Sequence, residues 1–598
     1  MTTRGTAGGR IAVATAVAGT AATVTWSALA VLVSGRGLGA GNEGFYLLAY
    51  GRWHEDRRTF TGAQYLYGPL FDLLGHDIGG LRLLRLTSIL VVHLVLGIAF
   101  ARWLRAHRPW APRGSSWEYA VASLVTASGA ILYGWLPRTP GYNDVTVLGS
   151  ELLVALMLVS LRAADRDRDV PLLVGAAIGF VAGAMVLAKP PSAVSLVVIL
   201  IASAFTLHLA GARPLRLALP MVAGVVMFAL AVQVLVDPWS QILPPLRQQI
   251  SIVSGSTHSP LEVVTWYAES SLEVLAAALV LCAPTAIAVV IARFLPTTLP
   301  GRHATVGVVG VAASAALLAS VGGFRSGAGN VLAFASGIAA CVLLVLTSSA
   351  VRRLRKPVRV SSYAMVLVLL GIVPLLQGVG TNNALYATAV NGAGLWIALT
   401  IALVTARPWR ATTASVIALG ATTLGVTISV VVGVDGLVHE AGGAGLLTGA
   451  WAHVDGSSEL ASIALPASEA DTYSRMRSDL GITPGSHRPM LAFGELAQYV
   501  LILGGRPIGE AWYSSYDDGL NAADLRAACR HGNPWGDQQP LVVANRDPSA
   551  TELAAWRVCG VDFSTEYRDV TPPAAPDGVR VLRWAGDTAV RPDAAGSP

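Results

Sequence analysis

Charge is scarce in this sequence, and lysine is almost absent. Only 13% of the 598 residues are charged and 53% are hydrophobic, with a mean hydropathy of +0.57. A composition this apolar excludes an ordinary soluble domain and indicates several membrane-spanning helices. Lys189 and Lys356 are the two lysines, and the preference for arginine, alanine, glycine and valine is typical of a GC-rich bacterial genome such as that of an actinobacterium.

The formal net charge of +6 does not predict a nucleic-acid partner. Most basic residues lie in short loops between apolar runs, where they set the orientation of the spans. We therefore expect the lipid bilayer to surround most of the chain, and we expect no nucleic acid.

Cysteine is also rare, and the four cysteines fall into two different settings. Cys282 and Cys341 lie inside apolar runs, whereas Cys529 and Cys559 lie in the polar C-terminal part. None has the spacing of metal ligands, so the sequence predicts no metal site. If the C-terminal part is outside the cytoplasm, Cys529 and Cys559 form a disulfide or remain two buried thiols, and both alternatives stay open.

About thirteen apolar runs approach the roughly 20 residues that a membrane span requires. They start near residues 11, 86, 118, 145, 171, 192, 216, 272, 304, 330, 361, 388 and 412. Arginine-rich loops alternate with loops that hold only Arg138, Lys189, Arg247 and Arg325. The positive-inside bias places the rich loops and the N-terminus in the cytoplasm, and an odd number of spans places the chain after about residue 434 outside. A cleaved signal peptide is the alternative for the first run, but its length favours a retained helix.

The sequence changes character near residue 434. We predict a membrane domain over 1–433, a connector over 434–460 and an extracytoplasmic α/β domain over 461–598. In the last region, helical patterns at 522–529 and 551–559 alternate with strand-like runs at 489–494, 499–505 and 540–545. The predicted fold class is a polytopic α-helical membrane protein, with about 13 transmembrane helices and a C-terminal extracytoplasmic α/β domain.

Polar and aromatic residues gather in the first outward loop, residues 34–85. This loop contains Glu43 within the stretch GNEGFY (41–46), several arginines and histidines, and many aromatic residues. The mixture suits helices that lie in the membrane interface with one apolar side. Glu43 either balances the neighbouring arginines or takes part in chemistry.

The next outward turn reads GWLPRTPGYND and covers residues 134–144. Its prolines and glycine fix a turn, which leaves Arg138, Tyr142, Asn143 and Asp144 at the membrane surface. Asp144 begins the following helix, where a carboxylate is favourable in any case. Asp144 therefore either serves only as a charge at the helix N-terminus or takes part in catalysis.

Two further outward segments carry candidate residues. Lys189 occupies a hairpin, where a lysine either extends to the interface or contacts a phosphate. The segment QGVGTNNALY (377–386) adds Asn382 and Tyr386.

Three motifs in the first loop carry a resemblance to a known family. They are GNEGFYLLAYGRWH (41–54), YLYGPLFDLLG (65–75) and GLRLLRL (80–86). In this order they resemble the start of the membrane-embedded glycosyltransferases of the GT-C class, in the branch of the protein O-mannosyltransferases and lipid A aminoarabinose transferases. Members of that branch usually have an Asp-Glu pair after the first span, whereas this chain has Asn42 and Glu43.

The resemblance implies transfer of a sugar, with inversion, from a polyprenyl-phosphate donor to a hydroxyl group of a glycan or protein acceptor at the outer face of the cytoplasmic membrane. Such a site needs a carboxylate for the acceptor hydroxyl, cations for the leaving lipid phosphate and a water-poor cleft. A lipid monophosphate leaving group needs no metal, so we expect no cofactor. The candidates are Glu43 and Asp144 for catalysis, Arg138, Lys189, Arg57, Arg58 and Arg82 for the donor phosphate, and Tyr46, Trp53, Tyr142, Asn143, Asn382 and Tyr386 for the sugar or acceptor.

Two other classes of protein remain open. A transporter or lipid flippase places ionisable residues near the bilayer midplane, and His93 and Glu151 are the main such residues inside the apolar runs. Glu151 follows Asp144 by seven residues and shares its helical face. A non-catalytic scaffold or receptor would instead tolerate the loss of Glu43.

Overall fold

The computed structural model describes most of the chain, with gaps mainly in loops and in one long internal segment. The described residues are 4–39, 42–55, 59, 61–107, 115–166, 169–254, 260–294, 302–320, 361–380, 383–405, 413–439, 445–510, 518–530, 534–536 and 538–587. The predicted span that starts near residue 330 lies outside them.

Helices dominate the first three quarters of the chain. They are α1 (Arg4–Val33), α2 (Asn42–Gly51), α3 (Gln64–Leu73), α4 (Ile78–His107), α5 (Ser115–Ser128), α6 (Tyr142–Ala164), α7 (Leu172–Ala188), α8 (Ser192–Leu209), α9 (Ala218–Leu235), α10 (Trp239–Ser254), α11 (Pro260–Phe294), α12 (Arg302–Ser320), α13 (Ser362–Leu376), α14 (Leu385–Ala389), α15 (Ala393–Val404) and α16 (Thr413–Val438). Short 3₁₀ turns cover Gly129–Tyr133, Pro214–Leu217 and Val390–Gly392.

Within the described residues, five helical segments are long and apolar enough to cross a membrane. They are Gly9–Val33, Ile78–His107, Tyr142–Ala164, Ser192–Leu209 and Pro214–Leu235. Shorter apolar helices include Leu172–Ala188 and Ser362–Leu376. The chain is therefore a membrane protein, and the total of about thirteen spans stays a prediction.

Close helix packing in this region depends on small residues. Helices α7 and α9 approach each other at Gly179 and Gly224. A Cβ atom at Gly179 would lie 1.9 Å from the Met221 carbonyl oxygen, and one at Gly224 would lie 1.9 Å from that of Ala176. Glycine permits this backbone contact, which is a common way for membrane helices to associate.

The C-terminal part folds around a five-stranded mixed sheet. Its strands stand in the order β4 (Arg506–Pro507), β3 (Pro489–Phe493), β5 (Leu541–Ala544), β7 (Arg580–Trp584) and β6 (Tyr567–Asp569). Strand β3 is parallel to β4 and β5, whereas β7 is antiparallel to β5 and β6. Strands β1 (Trp451–Ala452) and β2 (Leu465–Pro466) form a separate antiparallel pair. The helices are α17 (Ala467–Asp479), α18 (Ala497–Ile502), α19 (Asp518–Ala528), α20 (Ala550–Val558) and α21 (Phe563–Glu566).

Most of the predicted elements of this sheet region are confirmed, and one is wrong. The runs at 489–494 and 540–545 contain the buried strands β3 and β5, and the patterns at 522–529 and 551–559 lie in helices α19 and α20. The run at 499–505 is not a strand, because it contains most of helix α18, which connects the parallel strands β3 and β4. A short apolar run fits a buried helix as well as a buried strand, so its sequence alone could not separate them.

Two further features refine the sequence-based picture. Cys529 and Cys559 form a disulfide between the ends of α19 and α20, which decides between the two open alternatives. Helix α16 continues to Val438, beyond the predicted end of the membrane domain at 433.

The sheet region packs directly on the first loop of the membrane region. The Gly37 N–H donates to the Ala464 carbonyl at 2.8 Å, and the Ala464 N–H donates to the Gly35 carbonyl at 2.8 Å. Gly44 of α2 faces Gln498 of α18 so closely that a Cβ atom would lie 2.6 Å from the Gln498 Cα. One hydrophobic core joins α2 to α18 and β3, so the two regions share an interface at the candidate site.

Candidate active site

Two buried ion pairs lie side by side at the start of helix α4. Arg82 and Arg85 are three residues apart and therefore project from neighbouring positions of one helical face. Arg82 pairs with Glu43 of α2 at 3.0 Å, and Arg85 pairs with Asp144 in the first turn of α6 at 2.7 Å. Three segments that are distant in the sequence thus meet at these two arginines.

Glu43 is saturated with hydrogen-bond donors. Arg82 binds it in a bidentate manner, with Nε at 3.1 Å from Oε1 and Nη2 at 3.0 Å from Oε2. The backbone N–H and the hydroxyl of Thr139 donate to Oε1 at 3.1 and 2.5 Å, and the Gly39 N–H donates to Oε2 at 2.6 Å. A carboxylate offers about four lone-pair sites, so these five donors leave no site for a substrate hydroxyl.

The charges around Glu43 keep it ionised. Burial raises the pKa of this carboxyl, which is only 1% exposed, but the charges of Arg82 and Arg138 and the hydrogen bonds from Thr139 and Gly39 outweigh burial. The net effect lowers the pKa to about 2. A carboxylate with this pKa is a weak general base near neutral pH.

Arg82 also uses its donors within the chain. Its Nη1 donates to the carbonyls of Ser34 and Arg36 at 2.7 and 3.0 Å, and its Nη2 donates to the Gly37 carbonyl at 2.8 Å. Arg138 donates to the same Arg36 carbonyl at 2.6 Å. Glu43 and Arg82 therefore fasten the 34–39 segment and the 138–140 turn to helix α4.

Asp144 accepts fewer hydrogen bonds than Glu43. Its Oδ1 accepts from Arg85 Nε at 2.7 Å, and its Oδ2 accepts from the Gly141 N–H at 2.8 Å. Arg85 Nη2 donates to the Leu132 carbonyl at 3.0 Å, and the guanidinium lies 4.7 Å above the Tyr133 ring. Arg85 Nη1 is buried and has no hydrogen-bond partner among the described residues. This pair thus retains a free donor and carboxylate lone pairs.

Tyrosines surround the Asp144 carboxylate. Tyr46 lies edge-on to Tyr142 and stacks on Tyr50, with ring centroids 6.0 Å apart in both cases. Tyr67 follows at 5.5 Å from Tyr50, whose hydroxyl donates to the Pro140 carbonyl at 2.7 Å. Burial, followed by neighbouring tyrosines and Asp144, raises the pKa of Tyr46 and Tyr50 well above its ordinary value. Their hydroxyl groups therefore stay neutral around the acid.

Lys189 lies in the hairpin between α7 and α8 and is only 3% exposed. Its Nζ donates to the Gln377 carbonyl at 3.2 Å. Burial lowers the pKa of this amine to about 7. The preceding residue, Ala188, accepts a hydrogen bond from the Gly62 N–H at 3.3 Å, which ties the hairpin to the first outward loop.

The sheet region also reaches this neighbourhood. Glu510 is buried and accepts a hydrogen bond from Gln249 of α10 at 2.7 Å, while its own N–H donates to Asp524 at 2.5 Å. The Glu510 charge is also close enough to act on Tyr142. The sheet region thus contributes an acid beside the tyrosine cluster.

The structure brings together many of the predicted residues, but not all of them. Glu43, Arg82 and Arg138 meet at one ion pair, and Asp144, Tyr46 and Tyr142 meet at the other, with Asn143 buried in the same turn of α6. The predictions that lie elsewhere or outside the described part are Lys189 in its hairpin, Trp53, Tyr386 and the three undescribed residues Arg57, Arg58 and Asn382.

The structure describes the side chain of Trp53 but not that of Tyr386. Trp53 belongs to a separate cluster with Tyr65 and Leu187, and its indole N–H donates to Asp72 at 2.8 Å. The Trp53 indole is buried in this cluster and its N–H is already hydrogen-bonded. It lies apart from the tyrosines around Asp144. Tyr386 belongs to the short helix α14, and its side chain is outside the described part of the chain.

Four residues of the site were missing from the sequence-based prediction. Arg85 was recognisable from its spacing to Arg82, because residues three apart share a helical face. Thr139, Tyr50 and Tyr67 gave no comparable signal, since a hydroxyl or an aromatic ring in a loop usually serves packing. Among the described residues, no three His, Cys, Asp or Glu side chains are grouped as metal ligands, and metal independence stays a prediction.

Comparison with known proteins finds two weakly similar solved structures. No family model matches the sequence, and no curated protein matches it. The solved structure of ArnT from Cupriavidus metallidurans in the apo state is 16% identical, with 94% of this chain and 96% of that chain covered and a TM-score of 0.39. The structure of the same protein bound to undecaprenyl phosphate is 18% identical at the same coverage, with a TM-score of 0.34. Both TM-scores are below 0.5, so this likeness does not establish a shared fold.

Proposed function

We propose that this protein is a membrane glycosyltransferase of the GT-C type. It transfers a sugar, with inversion, from a polyprenyl-phosphate donor to a hydroxyl group of a glycan or protein acceptor at the outer face of the cytoplasmic membrane. The observation that carries the proposal is the partly satisfied pair of Asp144 and Arg85, buried among tyrosine hydroxyls at the end of two membrane helices. Such a pair offers one anion and one cation in a water-poor site.

Asp144 is the carboxylate that accepts the proton of the acceptor hydroxyl, or that orients this hydroxyl for attack on the sugar. It accepts two hydrogen bonds from Arg85 and Gly141, which leaves lone pairs for a substrate. Glu43 has no such capacity and a pKa of about 2. We therefore assign Glu43 a positioning role, in contrast to the catalytic role that the family motif implied.

The cation for the leaving lipid phosphate comes from Arg85, Lys189 or both. The unpartnered Nη1 of Arg85 is a donor available beside Asp144. Lys189 has a pKa of about 7, and an approaching phosphate would favour its charged form. Arg82 is a weaker candidate than the sequence indicated, because its donors already bind Glu43 and three carbonyls. Tyr46 and Tyr142 remain the proposed sugar contacts.

The orientation of the chain is part of the proposal. The arginine-rich loops support a cytoplasmic N-terminus and a sheet region outside the cytoplasm. The disulfide between Cys529 and Cys559 is consistent with an oxidising compartment. Transfer without a metal ion follows from the lipid monophosphate leaving group, and full activity in the presence of a chelator is the expected result.

Transfer of radiolabelled sugar tests the proposal directly. Membranes that contain the wild-type chain are supplied with radiolabelled polyprenyl-phosphate sugars, and label in acceptor material is measured. The matched control is Asp471→Asn, which removes an exposed carboxylate of the sheet region. Transfer that persists in this control and disappears in Asp144→Asn supports the proposal. Absence of transfer with every donor contradicts it.

A transporter or lipid flippase is the alternative, and one observation favours it. His93 of α4 and Glu151 of α6 face each other inside the membrane region, with Nε2 and Oε2 3.5 Å apart and both side chains fully buried. Neither Glu151 oxygen has a hydrogen-bond partner among the described residues. Intramembrane acids often serve transport. Glu151→Gln should leave sugar transfer intact if the glycosyltransferase proposal is right.

A further inference from the structure

A second charged site lies at the other ends of helices α4 and α6. A pocket of about 500 Å³ opens between the last turns of α4 and α6, the first turn of α5 and the residues just before α7. Asp144 and Arg162 are 18 residues apart on α6, so about 27 Å of helix separates this cavity from the tyrosine cluster. The charged residues that line the cavity are Arg102, Arg105, Glu118, Arg162, Arg166 and Asp169.

The cavity has more positive than negative charge. Glu118 is shared by Arg102 at 3.2 Å and Arg105 at 2.5 Å. Asp169 pairs with Arg216, outside the cavity lining, at 2.8 Å. Two arginines of the lining therefore lack a carboxylate partner among the described residues.

Those two arginines are Arg162 and Arg166. The Nε of Arg162 is buried and has no hydrogen-bond partner among the described residues. Arg162 also lies within electrostatic range of Arg166, Arg102 and Arg105, with Glu118 as the opposing charge. Like charges held together around a cavity repel one another, so an anion bound between them would be stabilised.

Topology alone does not account for this arrangement. Arginines that orient a membrane protein, or that stabilise the C-terminal end of a helix dipole, need only reach water. Here four arginines, two from the last turns of α4 and two from the end of α6 and the turn that follows it, converge on one open pocket. The cavity adjoins Leu172 and Leu173, which are 72% and 79% exposed at the start of α7 and suit contact with acyl chains.

We propose that this cavity binds the phosphate group of an anionic lipid headgroup. Arg162 and Arg166 contact the phosphate, Arg102 and Arg105 border it, and the acyl chains lie along Leu172 and Leu173. Basic pockets between membrane helices are known to hold phosphate-bearing headgroups. The lipid would belong to the leaflet opposite the candidate active site.

Thermal unfolding of the full-length protein in detergent tests this proposal. The probes are phosphatidylglycerol, phosphatidylcholine and inorganic phosphate, added separately. The test variant is Arg162→Gln with Arg166→Gln, and the matched control is Arg213→Gln, an exposed arginine after α8 that does not line the cavity. Phosphatidylglycerol should raise the Tm of the wild type and the control, and the double variant should bind it about 30-fold more weakly.

A second variant tests the proposal even if the double variant fails to fold. Glu118→Gln removes the acid that Arg102 and Arg105 share, so it should increase the affinity for phosphatidylglycerol. A rise in Tm with inorganic phosphate alone that the double variant abolishes, without a rise with phosphatidylglycerol, would support the phosphate site but identify a water-soluble ligand. Equal shifts in the wild type and the double variant, or no shift with any anionic probe, would overturn the proposal.

Discussion

Arg85 donates through Nε to Asp144 at 2.7 Å, while its Nη1 has no hydrogen-bond partner among the described residues. The neighbouring pair differs, because Arg82 and Glu43 have their donors and acceptors occupied by the chain itself. The two ion pairs on this helical face therefore differ in how many hydrogen-bond donors and acceptors they leave unused. The Asp144 pair can offer hydrogen bonds to a substrate, and the Glu43 pair stabilises the structure around it.

The stability of the site should depend on Glu43. Replacing Glu43 with Gln leaves the buried Arg82 without its counter-charge, and such a change costs roughly 3 kcal/mol of folding free energy. We expect a lower Tm for Glu43→Gln and a similar, smaller effect for Thr139→Val. Glu55→Gln is the control, because that acid is exposed in a pair with Arg52. Unchanged Tm values in the first two variants would contradict the structural role.

The lowered pKa of Glu43 predicts that the folded protein loses stability in acid. The pKa of Glu43 is about 2 in the folded protein, below its ordinary value of 4.5. A depressed carboxyl pKa contributes stability above pH 4.5, and this contribution is lost as the pH falls toward 2. Unfolding measured across this range should show a steeper decline for the wild type than for Glu43→Gln. Parallel curves would show that Glu43 does not titrate as described.

The lowered pKa of Lys189 predicts how use of the sugar donor depends on pH. Burial lowers its pKa to about 7, so the amine loses its charge as the pH rises above neutrality. If Lys189 contacts the donor phosphate, kcat/KM for the donor should decline above about pH 7. Lys189→Arg should move this decline to higher pH, and Lys189→Met should lower kcat/KM at pH 6. Identical pH profiles for all three proteins would remove Lys189 from donor binding.

The same shift predicts the opposite trend for stability. Because the folded protein binds this proton less tightly than the unfolded chain, folding stability rises with pH between about 7 and 10.5. The Lys189→Met variant should lack this rise.

The disulfide should stabilise the sheet region selectively. Cys529 and Cys559 are 30 residues apart in the sequence and join α19 to α20. Closing a loop of this length typically contributes about 3.6 kcal/mol. The double variant Cys529→Ser with Cys559→Ser should therefore show faster proteolysis of the C-terminal region. Equal proteolysis with and without a reducing agent in the wild type would contradict this.

The sequence identified candidate residues of the site, but it did not predict their hydrogen-bond partners. Glu43, Asp144, Arg138 and Tyr142 stand out because polar groups are rare in so apolar a chain. The saturation of Glu43 was not predictable, because it depends on which face of α4 meets α2 and on a hydroxyl from Thr139. These contacts join positions 39 to 96 residues apart in the chain.

The one wrong element of the predicted fold has a similar origin. Residues 499–505 form an apolar run that helix α18 and a strand would bury equally well, and only the crossover from β3 to β4 selects the helix. The burial of Trp53 against Gly68 depends on the packing of α3, which local sequence does not encode. The disulfide forms because Cys529 and Cys559 lie close together in the fold. The sequence had already singled out these two cysteines as the candidate pair, because the other two lie in apolar runs.

The most direct test compares Asp144→Asn with Glu43→Gln in sugar transfer, with each rate divided by the amount of folded protein. Loss of an acid that handles a substrate proton typically costs about 10²-fold or more in rate. We predict such a loss in Asp144→Asn with donor binding retained, whereas Glu43→Gln keeps a transfer rate per folded molecule close to that of the wild type. Full transfer in Asp144→Asn, with transfer abolished in well-folded Glu43→Gln, would contradict the assignment of the chemistry to Asp144.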